Sequence, residues 1–212
     1  LEPGTVERDV IELMAKSPKL CPFLHLPIQS GDNGVLARMR RRYAVEEVCE
    51  TLRLALQRLP HLGLGADFIC GFPGETPEAF ARTCALVDAF PFSNLHVFPY
   101  SERPGTPAAA FDGRIPVAAR KQRAHALIQR AQQSRGMFAQ TFLGRPVEAL
   151  VERFDREGRA RGWSGEYLAC AVAGVPRDRR RTLCAFVPES IQNGVLCGRW
   201  AGAKAAGTEQ PG

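Results

Sequence analysis

The stretch ADFICGFPGET, residues 66–76, decides the fold of this chain. Its apolar first half predicts a buried strand, and the glycines and proline that follow predict a turn. Thr76 is a natural N-cap and Pro77 suits the first position of the helix that comes next. Glycines allow the backbone to approach a ligand closely, and a helix start offers free N–H groups to a polar ligand. A tight strand-to-helix turn without a ligand is the alternative interpretation.

Strand-like and helix-like segments alternate on both sides of this stretch. Strands are predicted at 23–28, 65–71 and 94–99, and helices at 44–59, 76–90 and 117–143. This alternation predicts an α/β fold with a parallel sheet and right-handed crossovers. Parallel sheets carry their chemistry at the carboxyl ends of the strands. Those ends hold Gln29-Ser30-Gly31, the loop that begins at Gly71, and Tyr100-Ser101.

The pattern changes after Gly144. Short strands are predicted at 147–154, 166–172 and 183–187, with glycines such as Gly158, Gly162 and Gly165 as turn signals between them. Strands at this spacing predict a small β-barrel. We therefore expect an α/β domain at 1–144, a small all-β barrel at 145–200 and a disordered tail at 201–212.

Charge and cysteine usage narrow the functional classes. The 212 residues carry a formal net charge of +6, and basic blocks occur at 38–42, 114–147 and 177–181. Such blocks suit RNA, although solvated helix faces and loops are the alternative. No run of about twenty apolar residues exists, so no membrane contact is expected. Without a secretory signal, the seven cysteines are expected to be reduced and mostly buried, Cys21 and Cys70 among them, in a cytoplasmic protein.

Two further motifs flank the central stretch. The first is HLPIQSG at 25–31, in which His25 is interpreted as a hydrogen-bonded core histidine. Arg41, a little further on, can clamp a carboxylate through its guanidinium. The second is HVFPYSERPGT at 96–106, where Phe98 and Tyr100 could flank a flat ring; an ordinary structural loop is the alternative.

These three segments, in this order and at these spacings, resemble the radical-S-adenosylmethionine (radical-SAM) tRNA methylthiotransferases. The resemblance runs from Leu1 to about Trp200, and LEPG at 1–4 looks like the end of that family's Ser-x-Glu-Pro strand. The segment from His96 to Phe98 looks most like the branch that acts on threonylcarbamoyladenosine; the isopentenyladenosine branch is the alternative. A ribosomal-protein-modifying branch fits less well, because it usually has a histidine in place of Ser30. The resemblance implies a partial open (β/α) barrel, roughly its second half, followed by a tRNA-binding TRAM domain.

The resemblance also implies cofactors and site residues. The family uses S-adenosylmethionine and [4Fe-4S] clusters to add a methylthio group to C2 of a modified adenosine in the tRNA anticodon stem-loop. Contacts to S-adenosylmethionine are implied for these residues: Glu2, Gln29, Ser30, Arg41, Gly71, Phe98 and Tyr100. No catalytic residue and no metal ligand is assigned.

The sequence departs from the family in its cysteines. The radical cluster needs three thiolates at Cys-x-x-x-Cys-x-x-Cys, and this spacing does not occur here. We therefore expect the chain to be inactive alone and to be the downstream piece of a longer protein, whose amino-terminal part is then a partner. A start at Leu1, inside a motif, favours this explanation over a degenerate, non-catalytic tRNA-binding remnant.

Overall fold

The computed structural model describes residue 3 and residues 8–202. Glu2 and most of the predicted disordered tail lie outside these described residues. The chain divides into two compact units, Leu1–Ser134 and Arg135–Gly212. This division falls inside the long helix Val117–Gln140. The predicted boundary at residue 144 instead assigns the whole helix to the first domain. The predicted domain limits stay a prediction.

Unit 1 is an α/β layer built on a three-stranded parallel sheet with the order β1-β2-β3. The predicted alternation of strands and helices is confirmed, and α1 is an element that the sequence pattern did not predict. The elements are α1 (Arg8–Lys16), β1 (Phe23–Gln29), α2 (Asn33–Arg38), α3 (Val45–Arg58), β2 (Gly63–Cys70), α4 (Pro77–Ala89), β3 (Phe92–Pro99) and α5 (Val117–Gln140). A short 3-10 turn, Pro107–Ala110, precedes α5. As predicted, Thr76 caps α4: its hydroxyl accepts a hydrogen bond from Ala79 N at 3.2 Å.

The two faces of this sheet differ in burial. Because side chains alternate along a strand, Leu26 and Ile28 of β1 lie on one face with Phe68 of β2, and all three are fully buried. Residues on the opposite face, such as His25 and Asp67, are only partly buried. Within unit 1, this second face is open and carries polar side chains.

Unit 2 contains a closed five-stranded barrel with the order β4-β5-β6-β8-β7. Its strands are β4 (Val147–Phe154), β5 (Ala160–Ser164), β6 (Ala169–Ala173), β7 (Leu183–Gln192) and β8 (Val195–Trp200). Phe186, Leu168 and Leu196 fill its core. The predicted small barrel is confirmed. Gly162 had been interpreted as a turn signal, which is wrong: it lies in the middle of β5.

The expectation that Cys21 and Cys70 are both buried holds for only one of them. Cys70 is buried as expected, but Cys21 is exposed, because it precedes β1 and stays outside the ladder.

Among the described residues, no helix is long and apolar enough to cross a membrane.

Candidate ligand-binding site

The loop after β2 requires its glycines. Gly71 has φ +79 and Gly74 has φ +87, which L side chains rarely adopt. A Cβ on Gly71 would lie 2.4 Å from Arg120 Cγ, and a Cβ on Gly74 would lie 2.8 Å from Arg38 Nε. Arginine side chains thus occupy the space beside both glycines. The suggested contact of Gly71 with S-adenosylmethionine stays a prediction.

Glu75 ties this loop to α5. Its side chain is 1% exposed and accepts hydrogen bonds from Gly71 N at 2.8 Å and from Arg123 Nη1 at 2.6 Å. Burial raises the pKa of Glu75, and the hydrogen bonds from Arg123 and Gly71 N–H oppose that rise. The carboxylate therefore acts as a buried anchor for the turn.

A cavity of about 570 Å³ lies at the carboxyl ends of β1, β2 and β3. This volume is within the range of about 300–1,000 Å³ that is typical of small-molecule sites. Three of the predicted site residues line it, namely Gln29, Phe98 and Tyr100. The other lining residues are Asp67, Ile69, Pro99, Ser101, Arg103, Thr106 and Ala108.

Backbone geometry places the three predicted residues in this cavity. Gln29 has φ 70 and follows a register shift in the β1–β2 ladder, a type of irregularity that re-aims a side chain. Phe98 is 52% exposed and presents its ring to the cavity. The Tyr100 ring packs edge-on against Phe72, with ring centroids 5.0 Å apart. Its hydroxyl is buried and has no hydrogen-bond partner among the described residues.

Three other predicted site residues, Ser30, Arg41 and Gly71, are not among the residues that line the cavity. The Ser30 hydroxyl is buried within 3.4 Å of Thr83 Oγ1 and accepts a hydrogen bond from Asp32 N. Arg41 lies after α2, is partly exposed, and donates its backbone N–H to Leu36 O. Glu2 lies outside the described residues. The suggested contacts of these residues with S-adenosylmethionine stay predictions.

Several lining residues were not predicted from the sequence, and two of them, Asp67 and Arg103, carry charge. Asp67 is the single carboxylate within the apolar run of β2, and this isolation is the sequence signal that could have identified it. An exposed aromatic ring, a carboxylate, a guanidinium and an unpartnered tyrosine hydroxyl fit a ligand that combines a flat ring with charged groups. S-adenosylmethionine has this composition, so the residues present fit it.

The cysteines of the described residues do not fit an iron–sulfur cluster. Such clusters are held by several neighbouring thiolates. Burial raises the pKa of Cys70 to about 12 and that of Cys170 to about 12, so both remain neutral thiols. In the described part of the chain, the one group of ionisable side chains close enough to share an ion contains no cysteine.

An ion pair between the partly exposed Glu102 and the buried Arg120 gives a pH prediction. Hydrogen bonding from the Arg120 guanidinium lowers the pKa of Glu102 from its ordinary 4.5 to about 2. Because the pKa is lowered in the folded state, this pair stabilises the fold above pH 4.5 and the contribution is lost as the pH falls toward 2. We expect the Glu102 carboxyl carbon to titrate near 2 by NMR, and the stability difference between the wild type and Glu102→Gln to shrink over that interval. A difference that does not change with pH would contradict the assignment.

The comparisons with known proteins first indicate the superfamily to which this chain belongs. The profile of the Radical SAM superfamily matches residues 2–87. Coproporphyrinogen III oxidase from Escherichia coli, a radical SAM enzyme, superimposes with a TM-score of 0.53 at 22% identity, covering 63% of this chain and 31% of that one. At this identity the likeness concerns the fold alone. The class of this chain is thus the radical SAM superfamily.

Curated relatives give the family. The chain is 36% identical over 179 residues to threonylcarbamoyladenosine tRNA methylthiotransferase MtaB of Bacillus subtilis, covering 82% of this chain and 40% of the relative. It is 39% identical over 178 residues to tRNA-2-methylthio-N(6)-dimethylallyladenosine synthase of Mycobacterium ulcerans, covering 84% of this chain and 32% of the relative. This chain belongs to the radical-SAM tRNA methylthiotransferase family. It spans only about a third to two fifths of the length of these relatives.

Proposed function

We propose that this chain is part of an enzyme that adds a methylthio group to C2 of a modified adenosine beside the tRNA anticodon. The observation that supports this proposal is the strand-end cavity, lined by Gln29, Phe98 and Tyr100, in a member of the methylthiotransferase family. Bound S-adenosylmethionine supplies the radical and the methyl group when a [4Fe-4S] cluster is present. In this proposal, the chain binds the adenine and the charged groups of S-adenosylmethionine, and Phe98 and Tyr100 lie beside the adenine.

The cysteine geometry sets a condition on activity. Since the described cysteines do not fit a cluster, the cluster ligands belong, in this proposal, to an amino-terminal part of the same protein. The 212 residues alone are then inactive in methylthiolation. A cytoplasmic location follows from the tRNA substrate.

Within the family, we favour the threonylcarbamoyladenosine branch. That substituent ends in a carboxylate, and Arg103, which lines the cavity, offers a guanidinium that can bind it. An isopentenyl group is apolar and needs no such partner. The isopentenyladenosine branch is the alternative, because relatives of both kinds have similar identity to this chain.

The barrel of unit 2 supports an RNA partner. Trp163 and Tyr167 stack with ring centroids 4.7 Å apart and an interplanar angle of 16°, and Tyr167 is 43% exposed. Arg153 and Arg161 lie directly opposite each other in the β4–β5 ladder. Like charges in such a pair repel. Asp155 Oδ2 lies 3.8 Å from Arg161 Nε but also pairs with Arg159, so it offsets only part of this repulsion. An aromatic platform beside paired arginines suits the anticodon stem-loop.

Binding of an anticodon stem-loop RNA to the 212-residue chain tests this proposal. We expect the affinity to fall steeply with salt and Trp163→Ala to weaken it by roughly 5- to 150-fold, since stacking contributes about 1–3 kcal/mol per base. The control is Lys19→Gln, an exposed residue before β1 and outside the three basic blocks, which should bind like the wild type. An affinity that changes in neither Trp163→Ala nor Arg161→Gln would contradict the RNA assignment.

A second measurement separates the enzyme from a non-catalytic tRNA-binding remnant. Equilibrium dialysis with S-adenosylmethionine should show saturable binding that Phe98→Ala weakens at least tenfold. Phe98 is half-exposed, so this substitution should leave the fold intact. RNA binding without any affinity for S-adenosylmethionine would favour the remnant.

A further inference from the structure

Three ionisable side chains converge on the open face of the unit 1 sheet. They come from adjacent strands: His25 from β1, Asp67 from β2 and His96 from β3. His25 Nε2 lies 3.0 Å and His96 Nδ1 lies 3.1 Å from the same Asp67 oxygen, Oδ1. His25 is hydrogen-bonded, as expected, but it is not a core residue, because its side chain is 28% exposed. Neither Asp67 nor His96 had been assigned a role.

A glycine on the central strand orients His25. A Cβ on Gly65 would lie 2.4 Å from His25 Nδ1, so the imidazole occupies the space that a side chain at position 65 would fill. The ring therefore lies across β2 with Nδ1 above the glycine. Its other nitrogen, Nε2, is directed at Asp67. An alanine at position 65 would displace the ring from this position.

His96 is also held from both sides. Its Nδ1 faces Asp67, and its Nε2 lies 3.4 Å from the side-chain amide of Asn94. The atom that faces Nε2 is the amide nitrogen of Asn94. After a flip of the amide, its oxygen accepts a hydrogen bond from Nε2–H, which leaves the Nδ1 lone pair free. A hydrogen bond to the second ring nitrogen is what orients metal-ligating histidines in proteins.

We propose that His25, Asp67 and His96 bind a divalent first-row transition metal ion, such as Zn²⁺, through two imidazoles and one carboxylate. Tetrahedral bonds of about 2.0–2.2 Å to such an ion place neighbouring ligand atoms roughly 3.3–3.6 Å apart. The distances from Asp67 Oδ1 to the two histidines, 3.0 and 3.1 Å, need to lengthen by only a few tenths of an ångström, and all three ligand atoms lie within 4.8 Å of one another. His96 is 51% exposed and can rotate to close the remaining gap.

The ligand set and its position define the kind of site. Imidazole and carboxylate ligands suit zinc, iron and related ions, and three protein ligands leave a coordination position open for water or a ligand oxygen. Because Asp67 also lines the strand-end cavity, the open position faces that cavity. The site uses no cysteine, so it is separate from any iron–sulfur cluster and goes beyond the proposed methylthiotransfer.

Titration of the 212-residue chain with Co²⁺, and competition with Zn²⁺ in a calorimeter, tests the site. We expect one ion per chain and a visible cobalt spectrum without a thiolate charge-transfer band. His25→Gln and His96→Gln should each weaken binding at least tenfold. The matched control is His125→Gln, an exposed histidine that contacts Gln129 on α5, and it should bind as the wild type does. Circular dichroism checks that each variant is folded.

Three results would overturn the proposal. If Cys21→Ser abolishes binding, the exposed thiol and not the histidine pair holds the ion. If the double variant His25→Gln/His96→Gln binds as tightly as the wild type, or the wild type binds no ion, the three residues are a hydrogen-bonded cluster only. None of these results depends on RNA or on S-adenosylmethionine, so failure here is distinguishable from failure of the proposed function.

Discussion

Replacing Gly162 with alanine is expected to unfold the barrel of unit 2. A Cβ at this position would lie 1.8 Å from Leu150 O and 2.8 Å from Leu150 C, and both atoms belong to the backbone of β4. Backbone atoms of a paired strand cannot rotate away as a side-chain end can. Overpacking usually costs about 1–3 kcal/mol, and a clash with a ladder carbonyl should exceed that range.

Fluorescence isolates this effect, because both tryptophans of the chain, Trp163 and Trp200, lie in barrel strands. Denaturant unfolding followed by tryptophan emission should show the barrel transition lost or greatly lowered in Gly162→Ala. The control is Gly136→Ala in α5, where no atom lies within 4 Å of the new Cβ. That change should stabilise the helix by about 0.5–1 kcal/mol. Equal unfolding midpoints for the two variants would contradict the close approach at Gly162.

The same glycine shows why the barrel was only partly predictable. β5 and β8 are short strands with Gly162 and Gly198 inside them, and a glycine within a short apolar segment has the same sequence signature as a turn. At Gly198, a Cβ would lie 2.2 Å from Val187 O of the neighbouring strand. These glycines permit close strand contacts, and such contacts between distant residues cannot be inferred from local sequence.

The parallel sheet was predictable because its signals are local and repeated. Carboxyl ends of parallel strands meet at one edge, and this rule correctly brought Gln29, Phe98 and Tyr100 to a common cavity. The rule says nothing about side-chain direction. Ser30 follows Gln29 directly, yet its hydroxyl lies against Thr83 of α4. That contact depends on how a helix 53 residues further along packs.

His25 and Asp67 show a second limit. Strand alternation assigns each of them to the face opposite the buried leucines, but the sequence alone does not tell which faces are covered. An uninterrupted apolar run predicts burial on both faces. The sheet of unit 1 leaves one face partly exposed, so polar residues inside apparently buried strands become accessible there.

Replacing Arg123 with methionine is expected to have the largest effect on unit 1. The change keeps an apolar stem but removes the guanidinium that donates to Glu75 Oε2 at 2.6 Å and to Glu75 O at 2.8 Å. A carboxylate that is 1% exposed would then lose its charged partner. Breaking a buried pair in this way costs about 3–5 kcal/mol. The loop from Gly71 to Glu75, which borders α5 beside the cavity, should open first.

Hydrogen exchange measured on peptides covering residues 66–76 reports this opening directly, and far-UV circular dichroism reports the helices. The matched control is Arg130→Met on the same helix, where the pair with Asp88 is about half exposed and should contribute only about 0–1 kcal/mol. The double variant Glu75→Gln/Arg123→Met should regain part of the loss, because it leaves no buried charge. Full loss in the double variant would show that the packing of Arg123, and not its charge, stabilises the turn.

The pH dependence of Arg123→Met distinguishes charge from packing in a second way. Burial raises the pKa of Glu75, and removal of Arg123 takes away the largest opposing interaction. A carboxyl group with a raised pKa in the fold favours the folded state when it is protonated, and that advantage is lost as the pH rises through the raised pKa. The destabilisation by Arg123→Met should therefore be smaller at mildly acidic pH than at neutral pH. A penalty that is constant over this range would mean that Glu75 is already neutral in the wild type, and its contact with Arg123 would then be an ordinary hydrogen bond.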